Sequence, residues 1–138
     1  MALCDSLEAP ALHPALAGRF SPTRFDPTAA ISPSLLVVNL AHVLVEDSPQ
    51  WEFSEFSRYD LGQAVAHMTI QGLAMGLDAH QFRAFDRAGI AAEFSVPAHG
   101  EVTSMTAFGV AAPGDEGTAS PGTSRERMGL EELARVRD

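Results

Sequence analysis

DLGQAVAHMTIQGLAMGLDAHQFRAFD, residues 60–86, reads as one long helix followed by a shaped loop, and the rest of the chain is arranged around it. Asp60 has an N-cap side chain and Gln63 stands three residues later, the spacing of a capping box. Gly76 follows Met75 where a helix needs a residue that tolerates the left-handed conformation. Between these ends Leu61, Val65, Met68, Gly72 and Met75 recur at helical spacing and form one apolar stripe. Ala64, Ala66, Gly72 and Ala74 keep much of the remaining surface small, so a second element can approach closely. The spacing predicts a buried or interface helix over Asp60 to Met75.

Outward from the helix, two segments read as strands. SLLVVNLAHVLVE, from Ser34 to Glu46, is apolar on both alternate faces, with Leu35 to Leu40 as its core. EVTSMTAFGVAA, from Glu101 to Ala112, alternates and is rich in β-branched residues. Between the first strand and the helix, EDSPQWEFSEFSRY is acidic and aromatic with Pro49 in a turn. Trp51, Phe53, Phe56 and Tyr59 are expected to cover the core, with a flat ligand as the alternative. LDAHQFRAF is a loop or short strand, and DRAGIAAEFSVP a short helix ended by Pro97. Pro10 and Pro14 break a weak amphipathic pattern in residues 1–18. GDEGTASPGTS is a linker, and RERMGLEELARVRD ends the chain with a short amphipathic arm.

Composition narrows the function classes. A chain of 138 residues with 46% hydrophobic content suits one domain over 1–138, divided into an arm and arginine loop (1–33), a core (34–112), a linker (113–124) and a C-terminal arm (125–138). A net charge of −9 argues against nucleic acid or an anionic membrane surface as partner. All nine basic residues are arginine, which removes lysine from any catalytic scheme. One cysteine, Cys4, allows no internal disulfide; with no spanning apolar run and no signal-peptide pattern, the expectation is a cytoplasmic protein. His13, His42, His67, His80 and His99 are scattered without H-E-x-x-H, H-x-H or cysteine partners, so no metal site is expected. P-loop, G-x-S-x-G and G-x-G-x-x-G motifs are missing too. Arg19, Ser21 and Arg24 put two guanidinium groups and a hydroxyl within six residues, read as a solvated loop or as an anion site.

The 60–86 stretch, its E-F-x-V-P turn and the strand ending in AFG resemble the C-terminal half of the flavin-dependent nitroreductase family, from about Ser34 to Val110. Arg19-Phe20-Ser21 resembles the start of that family's phosphate and ribityl motif, with Thr23 at its third position and the charge displaced to Arg24. Arg125-Glu126-Arg127, followed by Leu130-Glu131-Glu132, resembles its basic pair and terminal helix. The family's A-P-S-x-x-N-x-Q-P-W segment has no counterpart, so the chain reads as a member with an internal deletion of the N-terminal half.

The resemblance implies an α+β, reduced nitroreductase-like fold: a small antiparallel sheet carrying the long central helix, dimerised through Asp60 to Met75. It implies FMN as cofactor and NAD(P)H as electron donor, with hydride passed to a small acceptor of nitro or quinone type and no obligate acid–base side chain. Arg19, Ser21, Arg24, Arg125 and Arg127 would hold the phosphate and ribityl chain. His80, Gln81, Phe82, Arg83 and Ala84 would line the ring. The missing segment sustains a second expectation, an inactive member that sequesters flavin or serves as a dimerisation partner.

Overall fold

The structure, a computed structural model, describes residues 14, 18, 21–28, 35–114, 129 and 132. Within 35–114 the order is β1 (Leu35–His42), β2 (Leu44–Val45), β3 (Ser48–Glu52), α1 (Ser57–Ala74), β4 (Asp78–Phe82), α2 (Arg87–Glu93) and β5 (Gly100–Gly109). β5 is the middle strand of a three-stranded antiparallel sheet of order β1-β5-β4, and β2 and β3 form a separate hairpin. The expected adjacency of the two long strands is present, with Leu35 opposite Phe108 and His42 opposite Gly100. The patterns expected for residues 1–18, for most of the linker and for the C-terminal arm lie outside the described residues.

The register sorts the sheet into two faces. Leu35, Phe108 and Ala79 share one row, and Val37, Thr106 and Gln81 the next on the same face. Leu36, Ala107 and His80, then Val38, Met105 and Phe82, lie on the other. α1 covers the first face, where Phe108, Ala79, Ala41 and Val65 are buried. Gly72 makes the approach possible, because a Cβ there would lie 2.6 Å from Phe108 Cε1. A helical glycine costs about 1 kcal/mol relative to alanine. Burying an aromatic or large aliphatic side chain returns about 1.5–3 kcal/mol, so the exchange favours the glycine.

Between helix and sheet lies a polar layer. Asn39 Nδ2 donates to Ser104 Oγ at 3.1 Å and to Thr106 Oγ1 at 2.9 Å. Gln81 Nε2 donates to Thr69 Oγ1 at 3.1 Å, and that hydroxyl donates to the Val65 carbonyl at 2.8 Å. At the helix start Arg58 forks onto Glu101, with Nη2 2.8 Å from Oε2. The Arg58 hydrogen bond, against opposing desolvation, holds the Glu101 carboxyl below the usual carboxylate range.

Several expectations are corrected. α1 begins at Ser57, and Asp60 already donates its N–H to the Phe56 carbonyl at 2.8 Å, so it is a first-turn residue favoured by the helix dipole. Position 56 has no side-chain cap; Ser54 orders the entry by accepting from Phe56 N and receiving the Ser57 hydroxyl on its carbonyl. Of the apolar stripe, Val65 and Gly72 are buried, Leu61 and Met68 half-buried and Met75 exposed, and Thr69 is the third buried residue. The strand expected over Ser34 to Glu46 is interrupted at Val43, whose carbonyl turns to accept from Phe53 N. The hairpin that follows leaves Trp51, Phe53, Phe56 and Tyr59 exposed, so they do not cover the core. Pro49 fits β3 because that strand pairs on one side only. β5 ends at Gly109, and residues 110–112 pair instead with the N-terminal segment around Phe25.

Both helices stop on left-handed residues. Gly76 has φ +80°, and the bonds Gly76 N to Leu73 O and Leu77 N to Gly72 O complete a Schellman motif that turns the chain into β4. α2 is capped by Asp86, whose carboxylate accepts from Gly89 N, and ends at Ser95 with φ +50°. Pro97 stands beyond the true stop. Among the described residues, no helix is long and apolar enough to cross a membrane.

Two substitutions test this packing. Gly72→Ala gains helix propensity but drives its methyl into Phe108, and should lower stability by about 1–2 kcal/mol, read as a lower urea midpoint. Ser95→Gly removes the strain of a left-handed serine and should raise stability by about 1 kcal/mol in the same measurement.

Candidate functional site

β4 leaves the C-terminus of α1 with its alternation already set. Ala79 and Gln81 turn toward the helix, so His80 and Phe82 emerge on the opposite face. His80 and Phe82 stack with centroids 5.7 Å apart and planes at 17°, and Phe85 meets Phe82 edge-on at 5.9 Å. These three rings make a continuous aromatic shelf at the edge of the sheet.

The N-terminal segment closes onto this edge. Phe25 bridges Ala111, Asp26 N donates to the Val110 carbonyl at 2.7 Å, and Ala112 N donates to the Arg24 carbonyl at 2.9 Å. Asp78 Oδ2 accepts from Ala111 N at 2.9 Å, which fastens the same backbone from β4. With Pro22 fully buried beside it, Ser21 is delivered to β4, and its hydroxyl lies 2.7 Å from His80 Nδ1 in a part-buried setting. Either group can donate in this bond, according to the imidazole tautomer.

The residues expected to form a site divide accordingly. Ser21 and His80, 59 positions apart, are brought into direct contact, and Phe82 stands with them. The Arg24 backbone is part of the bridge and its side chain is exposed. Arg83 and Ala84 are exposed in the turn after β4, which is closed by Phe85 N donating to the Arg83 carbonyl. Gln81 departs from the expectation of one continuous wall from His80 to Ala84. Its amide bonds Thr69 of α1, because consecutive residues of a strand face opposite ways. Arg19, Arg125 and Arg127 lie outside the described residues.

Asp78 and Phe85 escape a reading of the sequence. Phe85, three positions beyond Phe82, is part of an aromatic spacing that could have flagged the shelf; the role of Asp78 depends wholly on the approach of Ala111. Chemically, the arrangement offers a hydroxyl and an imidazole beside a flat apolar surface. That donor set fits one side of a ligand made of a ring and a polyol chain, as FMN is.

No protein-family model matches the sequence, and no curated protein is a significant match. Solved structures do match in fold. One is a nitroreductase family protein from Clostridium difficile 630, 16% identical, with a TM-score of 0.59 over 90% of this chain and 96% of that one. A second is described as an oxidoreductase containing FMN, 17% identical, with a TM-score of 0.57 over 78% of this chain and 80% of that one. A third, a candidate nitroreductase from Bacillus subtilis, is 14% identical with a TM-score of 0.50; the match covers 59% of this chain but only 37% of that protein. The chain thus has a nitroreductase-like fold. Its brevity relative to the Bacillus protein is shared, since the Clostridium protein is matched over nearly its whole length.

Ser21→Ala removes the hydroxyl from His80 and should cost about 1 kcal/mol, with faster amide exchange at Asp26 and Ala112, whose backbone bonds fasten the N-terminal segment. Unchanged exchange would mean that the segment is held without this bond.

Proposed function

We propose that this protein is an FMN-binding, nitroreductase-like oxidoreductase that takes electrons from NAD(P)H and delivers them to a small acceptor of nitro or quinone type. The observation that carries the reading is the Ser21–His80 hydrogen bond. It joins the segment resembling the phosphate and ribityl motif to the strand resembling the ring wall, in a fold shared with an FMN-containing oxidoreductase. Bound FMN would supply the redox chemistry, and the protein would supply position and electrostatics.

The roles follow from chemistry, from the resemblance and, for the described residues, from placement. Arg19, Arg24, Arg125 and Arg127 meet the phosphate, because guanidinium forks suit its oxygens in a chain that is otherwise strongly negative. Ser21 holds the ribityl chain and His80 fixes the orientation of the Ser21 hydroxyl. His80, Phe82, Arg83 and Ala84 form the ring wall, and Gln81 acts at one remove by tying β4 to α1. That wall is open on its outer side, as exposed Arg83 and Ala84 indicate, and the reading therefore includes a second copy of the chain. α1 is suited to be the seam: Ala64, Ala66 and Ala74 are exposed, Gly62 faces open space, and Ile70 and Met75 present apolar surface.

One observation favours a different reading, an inactive member that sequesters flavin or pairs with a longer relative. The flavin-contacting segment expected of the family has no counterpart in this sequence.

The purified protein separates the two. A visible flavin absorption band that bleaches on adding NAD(P)H, in a species of dimer mass, is the expected result. A colourless protein that takes up no added FMN would sink the enzyme reading. Arg127→Ala should weaken FMN retention by roughly 10- to 100-fold, the loss of one charge-assisted bond of about 1.5–3 kcal/mol.

A further inference from the structure

At the end of β5 remote from His80, folding assembles a second group of side chains. His42 is the last residue of β1 and pairs with Gly100, the first of β5. His99 immediately precedes β5, and its carbonyl accepts from both Val43 N at 2.8 Å and Leu44 N at 3.2 Å. Glu46 stands in the turn between β2 and β3. One donor atom from each of His42, Glu46 and His99 lies within 4.8 Å of the others. His99 Nε2 is 3.8 Å from Glu46 Oε1, and the two imidazoles are tilted with centroids 4.6 Å apart.

Packing alone leaves one nitrogen of this group unsatisfied. His42 is stacked on Phe53 at 4.0 Å with planes at 9°, which fixes the ring. Its Nε2 is buried with no hydrogen-bond partner. Buried polar atoms are as a rule paired, and an imidazole nitrogen held this way beside another imidazole and a carboxylate has the surroundings of a ligand. Two imidazoles and one carboxylate are a donor set for a divalent transition metal, zinc above all, with a fourth position left for water. A tetrahedron with bonds of about 2.1 Å has edges of roughly 3.4 Å, so the donors need to close by about 1.4 Å at most. The Glu46 side chain, 65% exposed on a turn, and the 26% exposed His99 can supply that by side-chain rotation.

We propose that His42, Glu46 and His99 bind one divalent transition-metal ion of the zinc class, which clips the β2–β3 hairpin to the β1–β5 end of the sheet. The site is distinct from the Ser21–His80 junction. His42 faces Gly100 and His80 faces Ala107, seven residues along β5 and so roughly 23 Å apart. It does not depend on the flavin reading.

The test uses full-length protein stripped with a chelator and titrated with zinc chloride in a calorimeter, and with cobalt chloride followed by visible absorption. Saturable uptake of one equivalent is expected, with the intense visible bands of four-coordinate cobalt and a melting temperature raised by zinc and lowered again by chelator. Glu46→Gln and His99→Gln should each weaken zinc affinity by at least roughly 10- to 100-fold, the loss already seen when only a supporting partner of a ligand is removed. His67→Gln, on the exposed side of α1, should leave it unchanged. Absence of saturable uptake by the unsubstituted protein, or equal affinity in Glu46→Gln, would overturn the proposal. Because Glu46 lies on an exposed turn, that variant decides the matter even if His99→Gln does not fold.

Discussion

The helix α1 and all three strands of the main sheet meet at Phe108. It is 3% exposed, opposite Leu35 on one side and Ala79 on the other, with its ring where a side chain at Gly72 would stand. The absence of a Cβ at one position of α1 sets how closely the helix can lie on the sheet. Four residues later Gly76 ends that helix in a left-handed turn, and the following residues enter β4 beside β5. The depth of α1, the start of β4 and the face on which His80 emerges are therefore linked through a single close contact.

The polar layer beneath the helix makes that arrangement specific. Apolar side chains alone would tolerate small slips of register, whereas the Asn39 amide has partners only when Ser104 and Thr106 of β5 stand beside it, which fixes β1 against β5. Gln81 and Thr69 impose the same condition between β4 and α1. A one-residue slip of β4 would turn His80 toward the helix and Gln81 toward the candidate site, leaving a buried hydroxyl without its donor. The network thus protects the orientation of the site without belonging to it.

The two ends of β5 serve different purposes. One end receives the N-terminal segment through backbone bonds at residues 110–112 and bears the Ser21–His80 junction. The other receives the β2–β3 hairpin, with Phe53 stacked on His42 and Arg58 forked onto Glu101. Trp51, Phe53, Phe56 and Tyr59 stay exposed around that hairpin, as Ile70 and Met75 do on α1. The proposed dimer would cover part of this apolar surface.

Local chemistry made much of the fold legible. The left-handed stop at Gly76, the short helix after β4, the β-branched alternation of β5 and the apolar run of β1 each depend on residues close together in the chain, and each stands as its sequence implies. The same local logic misplaced the N-cap at Asp60, because the Ser54 turn and the Arg58–Glu101 pair extend the helix backward by a turn. It joined β2 to β1 because nothing local to Val43 announces that Phe53 will claim its carbonyl. For the candidate site, Ser21 and His80 were both visible as residues, and the side from which Gln81 turns away was not. Tertiary structure alone decided that Ser21 would meet His80 across 59 positions and that His42, Glu46 and His99 would gather at one end of a strand. Short-range geometry is written into neighbouring residues. Contacts between distant ones exist only after the sheet register and the depth of α1 have been set.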